Sequence, residues 1–154
     1  MEHPTQTRKF STSDVTLCLC ANVRRVTRKI TQLYDGALRP TGLTSAQFNI
    51  IATLKYRPDL SITELSKALG VDRTTLTRNL KPLVRKGLIR SGGMDDDRVR
   101  TTSLTDIGMA KFDECYPLWQ SAQEQLSERL GTKNIPDLLR QMSAVLSAAE
   151  DLAE

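Results

Sequence analysis

Residues 61–105 read SITELSKALGVDRTTLTRNLKPLVRKGLIRSGGMDDDRVRTTSLT, and this stretch decides the fold. It begins with a capping box, because the Ser61 hydroxyl can accept from the amide of Glu64 and the Glu64 carboxylate can accept in return from the amide of Ser61. Apolar residues at 62, 65 and 69 then recur at helical spacing, and Gly70 can end a helix in the left-handed conformation. The stretch therefore opens with a short predicted helix.

A second helix is predicted directly after the turn. Asp72 is a good N-cap, and the leucines at 76, 80 and 83 share one face of the helix that follows. Two helices joined by such a turn are typical of a helix-turn-helix, whose second helix probes a groove of DNA. Arginine reaches guanine edges or phosphates, and threonine offers a hydroxyl and a methyl group to bases. The predicted contacts on this helix are Arg73, Thr74, Thr75, Thr77 and Arg78.

A hairpin is predicted next, because two short extended runs at 88–91 and 98–104 flank the turn sequence GGMDDD. Arg98 and Arg100 follow its tip, where a minor groove could take them, and Asp96 could orient Arg98 through a charge-assisted bond. A solvated helix face that happens to carry arginine and threonine is the alternative, and the basic hairpin disfavours it. The prediction is a mainly α-helical fold with a small β-wing, a winged helix-turn-helix.

At this point the chain resembles the MarR family of bacterial transcriptional regulators, and the resemblance covers nearly its whole length. It implies a regulator that binds double-stranded DNA as a homodimer, with terminal helices forming the dimer interface. It also implies a crevice for a small aromatic or anionic ligand between those helices and the DNA-binding lobe. The residues that carry the resemblance are Gly42-Leu43-Thr44 with Gln47, Leu65-Ser66-Lys67-Ala68-Leu69, Lys86-Gly87-Leu88-Ile89, Asp96-Asp97-Arg98 and Leu104-Thr105-Asp106-Ile107-Gly108.

Helices are predicted on both sides of the winged stretch. A first helix spans residues 13–39, and a second runs from a capping box at Thr44 and Gln47 to the break at Arg57-Pro58. Thr105 caps a long helix that ends at Gly131, and Pro117 should kink or interrupt it. We therefore expect one domain over 1–154, with a dimerisation arm and helix at 1–43, the DNA-binding lobe at 44–104 and dimerisation helices at 105–154.

The last helix carries a narrow apolar seam, with residues 138, 142, 145, 149 and 152 at alternating spacings of four and three. Such spacing suits a partner helix. A single winged helix contacts too little DNA for tight recognition, so two-fold dimers on palindromic operators are the usual solution. We expect a homodimer held by the first and last helices and acting as a repressor. The alternative is that the seam packs within its own chain.

Composition narrows the class of protein. The 154 residues carry a net charge of +4, with 18 basic against 9 acidic residues in 1–104 and 4 against 9 in 105–154. A basic body with an acidic end suits a protein that offers one side to a polyanion. No apolar run approaches a membrane span, and the first residues lack the apolar core of a signal peptide, so we expect a cytoplasmic protein without membrane contact.

The sequence predicts no enzyme and no cofactor. Its one histidine is His3, and it contains neither a P-loop nor a dinucleotide-binding glycine pattern nor zinc-ligand spacing. Three cysteines, an odd number, argue against a secreted disulfide framework. A winged helix used only for protein contacts is a further alternative, which the arginines of the probe helix and wing disfavour.

Two cysteines, Cys18 and Cys20, raise the question of a redox sensor. The chain is also similar to the organic-hydroperoxide-resistance repressors of the family, which implies a sensing thiol at Cys20 and a bonded tyrosine at Tyr34. Fourteen helical residues span about 21 Å, so the two could meet only across a dimer. Ser45 stands where those repressors have another tyrosine. A buried, inert cysteine is the alternative, and a small-molecule effector is the competing interpretation of regulation.

Overall fold

The computed structural model of the chain describes residues 16–92 and 101–152. As the sequence predicted, the fold is mainly α-helical with a small antiparallel sheet. The helices of the described residues are α1 Leu19–Leu38, α2 Ser45–Tyr56, α3 Ile62–Leu69, α4 Arg73–Arg85, α5 Asp106–Leu130 and α6 Ile135–Asp151, with 3-10 turns at Arg39–Thr41 and Thr132–Asn134. The strands are β1 Leu60–Ser61, β2 Ile89–Ser91 and β3 Thr101–Leu104.

The helix-turn-helix forms where its caps predicted it. The amide of Glu64 donates to the Ser61 hydroxyl at 3.2 Å, and the amide of Ser61 donates to the Glu64 carboxylate at 2.9 Å, so the capping box is complete. Gly70 ends α3 with a positive φ of 61°, a conformation that costs glycine little. Asp72 caps α4, and the capping box at Thr44 and Gln47 begins α2. These start and stop signals are confirmed.

The sheet contains a strand that the sequence did not predict. Its order is β1-β3-β2, so the second wing strand lies in the centre. β1 is two residues long, and Leu60 pairs with Thr102, whose hydroxyl donates to the Leu60 carbonyl at 2.8 Å. A two-residue strand has no periodicity to recognise, and its partner lies some forty residues away. β2 pairs with β3 in the hairpin register, with Ser91 opposite Thr102.

The core lies between α2, the helix-turn-helix and the beginning of α5. Phe48 of α2 stacks on Phe112 of α5, with ring centroids 5.8 Å apart. Each buried leucine-sized side chain contributes roughly 1.5–3 kcal/mol relative to exposure, so this core holds the probe helix rigidly. Its fully buried side chains are Leu38, Ile51, Leu54, Leu65, Leu76, Leu83, Ile89, Thr102 and Cys115.

A close backbone contact joins the wing to α5. Thr105 caps α5 by accepting from the amide of Gly108 at 3.1 Å, and its own amide donates to the carbonyl of Leu88 at 3.1 Å. The carbonyl oxygen of Leu88 lies in the space that a side chain at Gly108 would occupy. Of the two outcomes expected at Pro117, the interruption does not occur: α5 continues through it, with Cys115 and Ala122 buried on either side. Packing on both sides offsets the hydrogen bond that proline removes.

The terminal helices differ in detail from the prediction. α1 begins at Leu19 with Cys18 at its N-cap, later than residue 13. None of the residues of α6 is buried, and Leu138 is the only described seam residue that is partly covered, so the seam is largely exposed in the single chain. Leu139 and Leu146 are also 57% and 60% exposed, which makes the apolar arc of α6 wider than the predicted narrow seam. Over 16–92 and 101–152, no helix has the length and apolar content needed to span a membrane.

Candidate nucleic-acid interface

A groove of about 1070 Å³ runs between the exposed face of α4 and the stem of the hairpin. Helix α4 supplies most of its wall, and Ser91 and Thr102 supply the strand side. The residues that line the groove are Ile62, Arg73, Thr74, Thr77, Arg78, Leu80, Lys81, Pro82, Val84, Arg85, Ser91 and Thr102.

Four cations line this groove, and its described lining contains no carboxylate. Arg73 and Arg78 were predicted from the sequence, whereas Lys81 and Arg85 were not. The signal was present, because residues 78, 81 and 85 are spaced by three and four and therefore share one face of the helix. The sequence prediction considered only the first turns of α4. A row of cations with this spacing suits a chain of phosphates.

Arg73 is held by a residue of the preceding helix. Its guanidinium Nη2 donates to the Thr63 hydroxyl at 2.8 Å. The Thr77 hydroxyl, one turn later, donates to the carbonyl oxygen of Arg73 at 2.7 Å. The beginning of α4 is therefore tied both to α3 and to its own next turn.

The predicted threonines fall into two groups. Thr74 and Thr77 are exposed in the groove, as expected for residues that contact DNA. Thr75 does not line the groove. Its amide and hydroxyl donate to the Asp72 carboxylate at 2.8 and 2.7 Å, so it completes the helix cap. A DNA contact by Thr75 stays a prediction, and its hydroxyl is already bonded to Asp72.

Two carboxylates, Asp72 and Glu64, bond to the starts of the two helices, and the stability that they contribute depends on pH in a defined direction. Hydrogen bonds from the amide and hydroxyl of Thr75 hold the pKa of Asp72 below its ordinary value. Bonds from the hydroxyl and amide of Ser61 do the same to the pKa of Glu64. A lowered pKa means that the folded state favours the carboxylate, so the caps stabilise at pH values above the unfolded pKa. That stability is lost as the pH falls through the folded pKa.

The tip of the wing lies outside the described residues. Arg98, Arg100 and Asp96 belong to the 93–100 segment, and their roles stay predictions. The described stem carries one further arginine: Arg90 pairs across the strands with Ser103 and donates from Nε to its hydroxyl at 2.8 Å.

Two hollows, each of about 250 Å³, lie beside the single tryptophan and share no lining residue with the groove. The first lies between α1, α2 and α5, and the second between α2 and α5. Asn49 and Trp119 line both, and neither described lining contains a charged residue. The first is lined by Ile30, Thr31, Tyr34, Ser45, Asn49 and Trp119. The second is lined by Phe48, Asn49, Ala52, Tyr56, Phe112, Tyr116 and Trp119.

The region around Tyr34 joins α1 to both of its neighbours. The Tyr34 hydroxyl donates to the side-chain carbonyl of Gln123 on α5, and burial raises the pKa of Tyr34, which keeps its proton in place. Next to it, the Asp35 carboxylate accepts from both the amide and the hydroxyl of Ser45, each at 2.7 Å. α1 is thereby fastened to the first residue of α2 as well as to α5.

The structure does not bring the candidate redox residues together within one chain. Cys20 is exposed near the start of α1, while Tyr34 is bonded to Gln123 fourteen residues later. A pairing across subunits stays a prediction. Cys115 is fully buried, and burial raises the pKa of its thiol, so it is poorly suited to resolve an oxidised cysteine.

Comparison with known proteins gives consistent matches. The model of the MarR family matches residues 43–98, the stretch from the start of α2 into the wing. The chain is 30% identical over 126 residues to the multiple antibiotic resistance protein MarR of Escherichia coli (strain K12), covering 80% of this chain and 88% of that one. It is 31% identical over 103 residues to the HTH-type transcriptional repressor MdtR of Bacillus subtilis (strain 168), covering 66% of this chain and 64% of that one.

A solved structure gives the same picture in three dimensions. The crystal structure of the M. tuberculosis transcriptional regulator MosR in complex with DNA superposes with a TM-score of 0.78 at 37% identity. The match covers 87% of this chain and 97% of that one. The fold of that relative therefore extends over most of this chain.

Proposed function

The chain belongs to the MarR family of DNA-binding transcriptional regulators, and from that premise we propose that it is a homodimeric repressor released from its operator by a small aromatic effector. The observation that carries the proposal is the groove along α4, with four cations and no carboxylate among its described lining residues. The matched relatives are transcriptional regulators and not enzymes. MosR was solved in complex with DNA, and double-stranded DNA is the partner of this chain. The repressor role is supported by the name of the relative MdtR.

The proposed dimer rests on the terminal helices. α6 has no buried residue and carries an apolar arc along its length, while Val23 and Val26 of α1 are about half exposed. A helix with such an arc gains stability by burying it against another helix. Two copies related by a two-fold axis would then place two α4 helices on one face, as a palindromic operator requires.

We assign the residues of the groove to two roles, contacts with base edges and contacts with phosphates. Thr74, Thr77 and Arg78 lie in the first two turns of α4, the part of a probe helix that meets base edges. Lys81 and Arg85 lie farther along the helix, where we assign them to phosphates. Phosphate contacts set affinity and base contacts set sequence preference. A winged helix used only for protein contacts would have no need for this division.

Replacing Arg78 tests the proposed interface. Arg78→Ala is expected to weaken operator binding by roughly 1–3 kcal/mol, about 5- to 200-fold, if the guanidinium contacts a base edge. The loss should be smaller on an operator substituted at the contacted base pair. Fluorescence anisotropy on a site selected from random DNA, and on its single-base variants, measures both effects.

The matched control is Arg129→Ala, which removes an exposed arginine of α5 that does not line the groove. It should bind the operator within about twofold of the wild type, because an exposed charge outside the interface contributes little. Equal operator affinity for Arg78→Ala and the wild type would remove the groove from DNA binding.

The proposed effector site is the pair of hollows beside Trp119. Their lining offers aromatic surfaces, two hydroxyl side chains near Tyr34 and the Asn49 amide, and none of the described lining residues is charged. Such a lining suits a small aromatic molecule with a polar substituent better than a carboxylate. Occupation of the first hollow would act on α1, α2 and α5 together, and so on the spacing of the two probe helices.

Trp119 is the only tryptophan of the chain and therefore reports on this site. A phenol is expected to quench its fluorescence and to release operator DNA over the same concentration range. Cyclohexanol, of similar size but without the aromatic ring, is the control and should do neither in that range. Quenching without release would separate binding from regulation and contradict the effector proposal.

The thiol-based alternative is not part of this proposal. Tyr34 is engaged with Gln123, and Ser45 with Asp35, so the hydroxyl environment implied by the peroxide-sensing branch is used for contacts between helices. A role for the exposed Cys20 stays a prediction.

A further inference from the structure

We propose that Thr63 is a positioning residue for DNA recognition, acting by holding the Arg73 guanidinium at the entrance of the groove. The proposal rests on the DNA-binding function of the groove. Thr63 is exposed at the second position of α3 and does not line the groove itself. Its side chain reaches the groove only through Arg73, whose Nη2 donates to its hydroxyl at 2.8 Å.

Both ends of this contact are built on fixed backbone. The capping box at Ser61 and Glu64 sets the first turn of α3, where Thr63 lies. The turn between the helices is closed by Gly70 in the left-handed conformation and by the amide of Val71, which donates to the Ser66 carbonyl at 3.1 Å. The Thr77 hydroxyl then holds the carbonyl of Arg73. A hydroxyl and a guanidinium separated by ten residues are therefore presented to each other by rigid elements.

The chemistry of the partner matters as much as its position. A carboxylate at position 63 would bind the arginine more tightly, but it would also neutralise the charge that attracts phosphates. A hydroxyl accepts one of the five guanidinium hydrogens and leaves the charge and four donors available. Thr63 therefore fixes the direction of Arg73 without competing with DNA for its charge.

The expected gain in operator affinity comes from preorganisation of the Arg73 side chain. A free arginine side chain samples many rotamers, and the rotamer entropy lost on binding opposes association. Holding Arg73 against Thr63 before DNA arrives removes part of that loss. Arg73 is the first residue of α4, so no turn of that helix precedes it, whereas Arg78 has helix on both sides. Arg73 therefore needs this support more than Arg78 does.

A double-mutant cycle tests the proposal on the full-length protein. Thr63→Val removes the acceptor at nearly constant shape, Thr63→Ser retains it, and Arg73→Ala removes the group that is held. Operator affinity is measured for each single variant and for Thr63→Val combined with Arg73→Ala. Thermal unfolding by circular dichroism confirms that each variant is folded.

We expect Thr63→Val to weaken operator binding about 2- to 10-fold, the range of the net contribution of a typical hydrogen bond. Thr63→Ser should bind like the wild type. In the Arg73→Ala background, Thr63→Val should have no further effect. A purely structural role for Thr63 would give the same loss in both backgrounds and would overturn the proposal.

Two other results also overturn it: wild-type affinity in Thr63→Val, or wild-type affinity in Arg73→Ala. Either result leaves the DNA-binding groove intact as long as Arg78→Ala still weakens binding. The failure of the positioning role is therefore distinguishable from the failure of the interface itself.

Discussion

A chain that ends at Gly131 is expected to be monomeric or to aggregate, and to lose nearly all operator affinity. The truncation removes α6, whose residues are all at least partly exposed in the single chain and whose apolar arc we assign to the dimer interface. Burial of each leucine-sized side chain contributes roughly 1.5–3 kcal/mol. Losing several of them is therefore expected to remove most of the free energy of dimerisation. Sedimentation velocity measures the change in mass directly.

Point variants give the same test without shortening the chain. Leu139→Glu with Leu146→Glu places charges in the apolar arc and should dissociate the dimer. Ser147→Glu adds a charge to the polar side of the same helix and should leave the dimer intact. A truncated protein that sediments as a dimer of unchanged stability would refute the interface.

Alanine at position 108 is expected to destabilise the protein by roughly 3 kcal/mol or more, through overpacking against backbone. A Cβ at this position would overlap the Leu88 carbonyl, which is backbone and already accepts from the Thr105 amide. The start of α5 would have to move away from β2. For a chain of this size the loss corresponds to a melting temperature about 10 °C lower, which differential scanning calorimetry measures.

Gly36→Ala is the matched control. Gly36 lies inside α1, and a Cβ there has no heavy atom within 4 Å. Alanine should therefore leave stability unchanged or raise it by up to about 1 kcal/mol, because glycine is the weaker helix former. A melting temperature for Gly108→Ala equal to that of the wild type would show that the wing and α5 are not locked together at this point.

Much of this fold was predictable because its boundaries are set by local chemistry. The capping boxes at Ser61 and Thr44 and the glycine at 70 act within a few residues, so the sequence alone indicated them. The leucines of α4 at 76, 80 and 83 are buried as their spacing predicted. Arg73 and Arg78 line the groove, and their common helix face could be predicted for the same reason, since a helical face follows from residue spacing.

What the sequence missed depends on contacts between distant residues or on side-chain direction. Strand β1 exists only because Leu60 meets Thr102, and no local pattern indicates that pairing. The hydroxyl of Thr75 bonds to Asp72, and residue types alone do not indicate which hydrogen-bonding partner a threonine takes. Arg73 was predicted as a DNA contact, but its support from Thr63 required the geometry of both helices.

Because Asp35 is bonded to Ser45, α1 links the proposed dimer contact to the DNA-binding lobe at a defined distance and rotation. One end of this twenty-residue helix belongs to the dimer contact we propose, and the other is bonded to the first residue of the DNA-binding lobe. Each residue of an α-helix advances about 1.5 Å and turns about 100°. One residue inserted between the two ends would therefore rotate the subunit contact by more than a quarter turn relative to the lobe. In the dimer that we propose, the length of α1 therefore sets how the two probe helices are oriented toward successive grooves of the DNA.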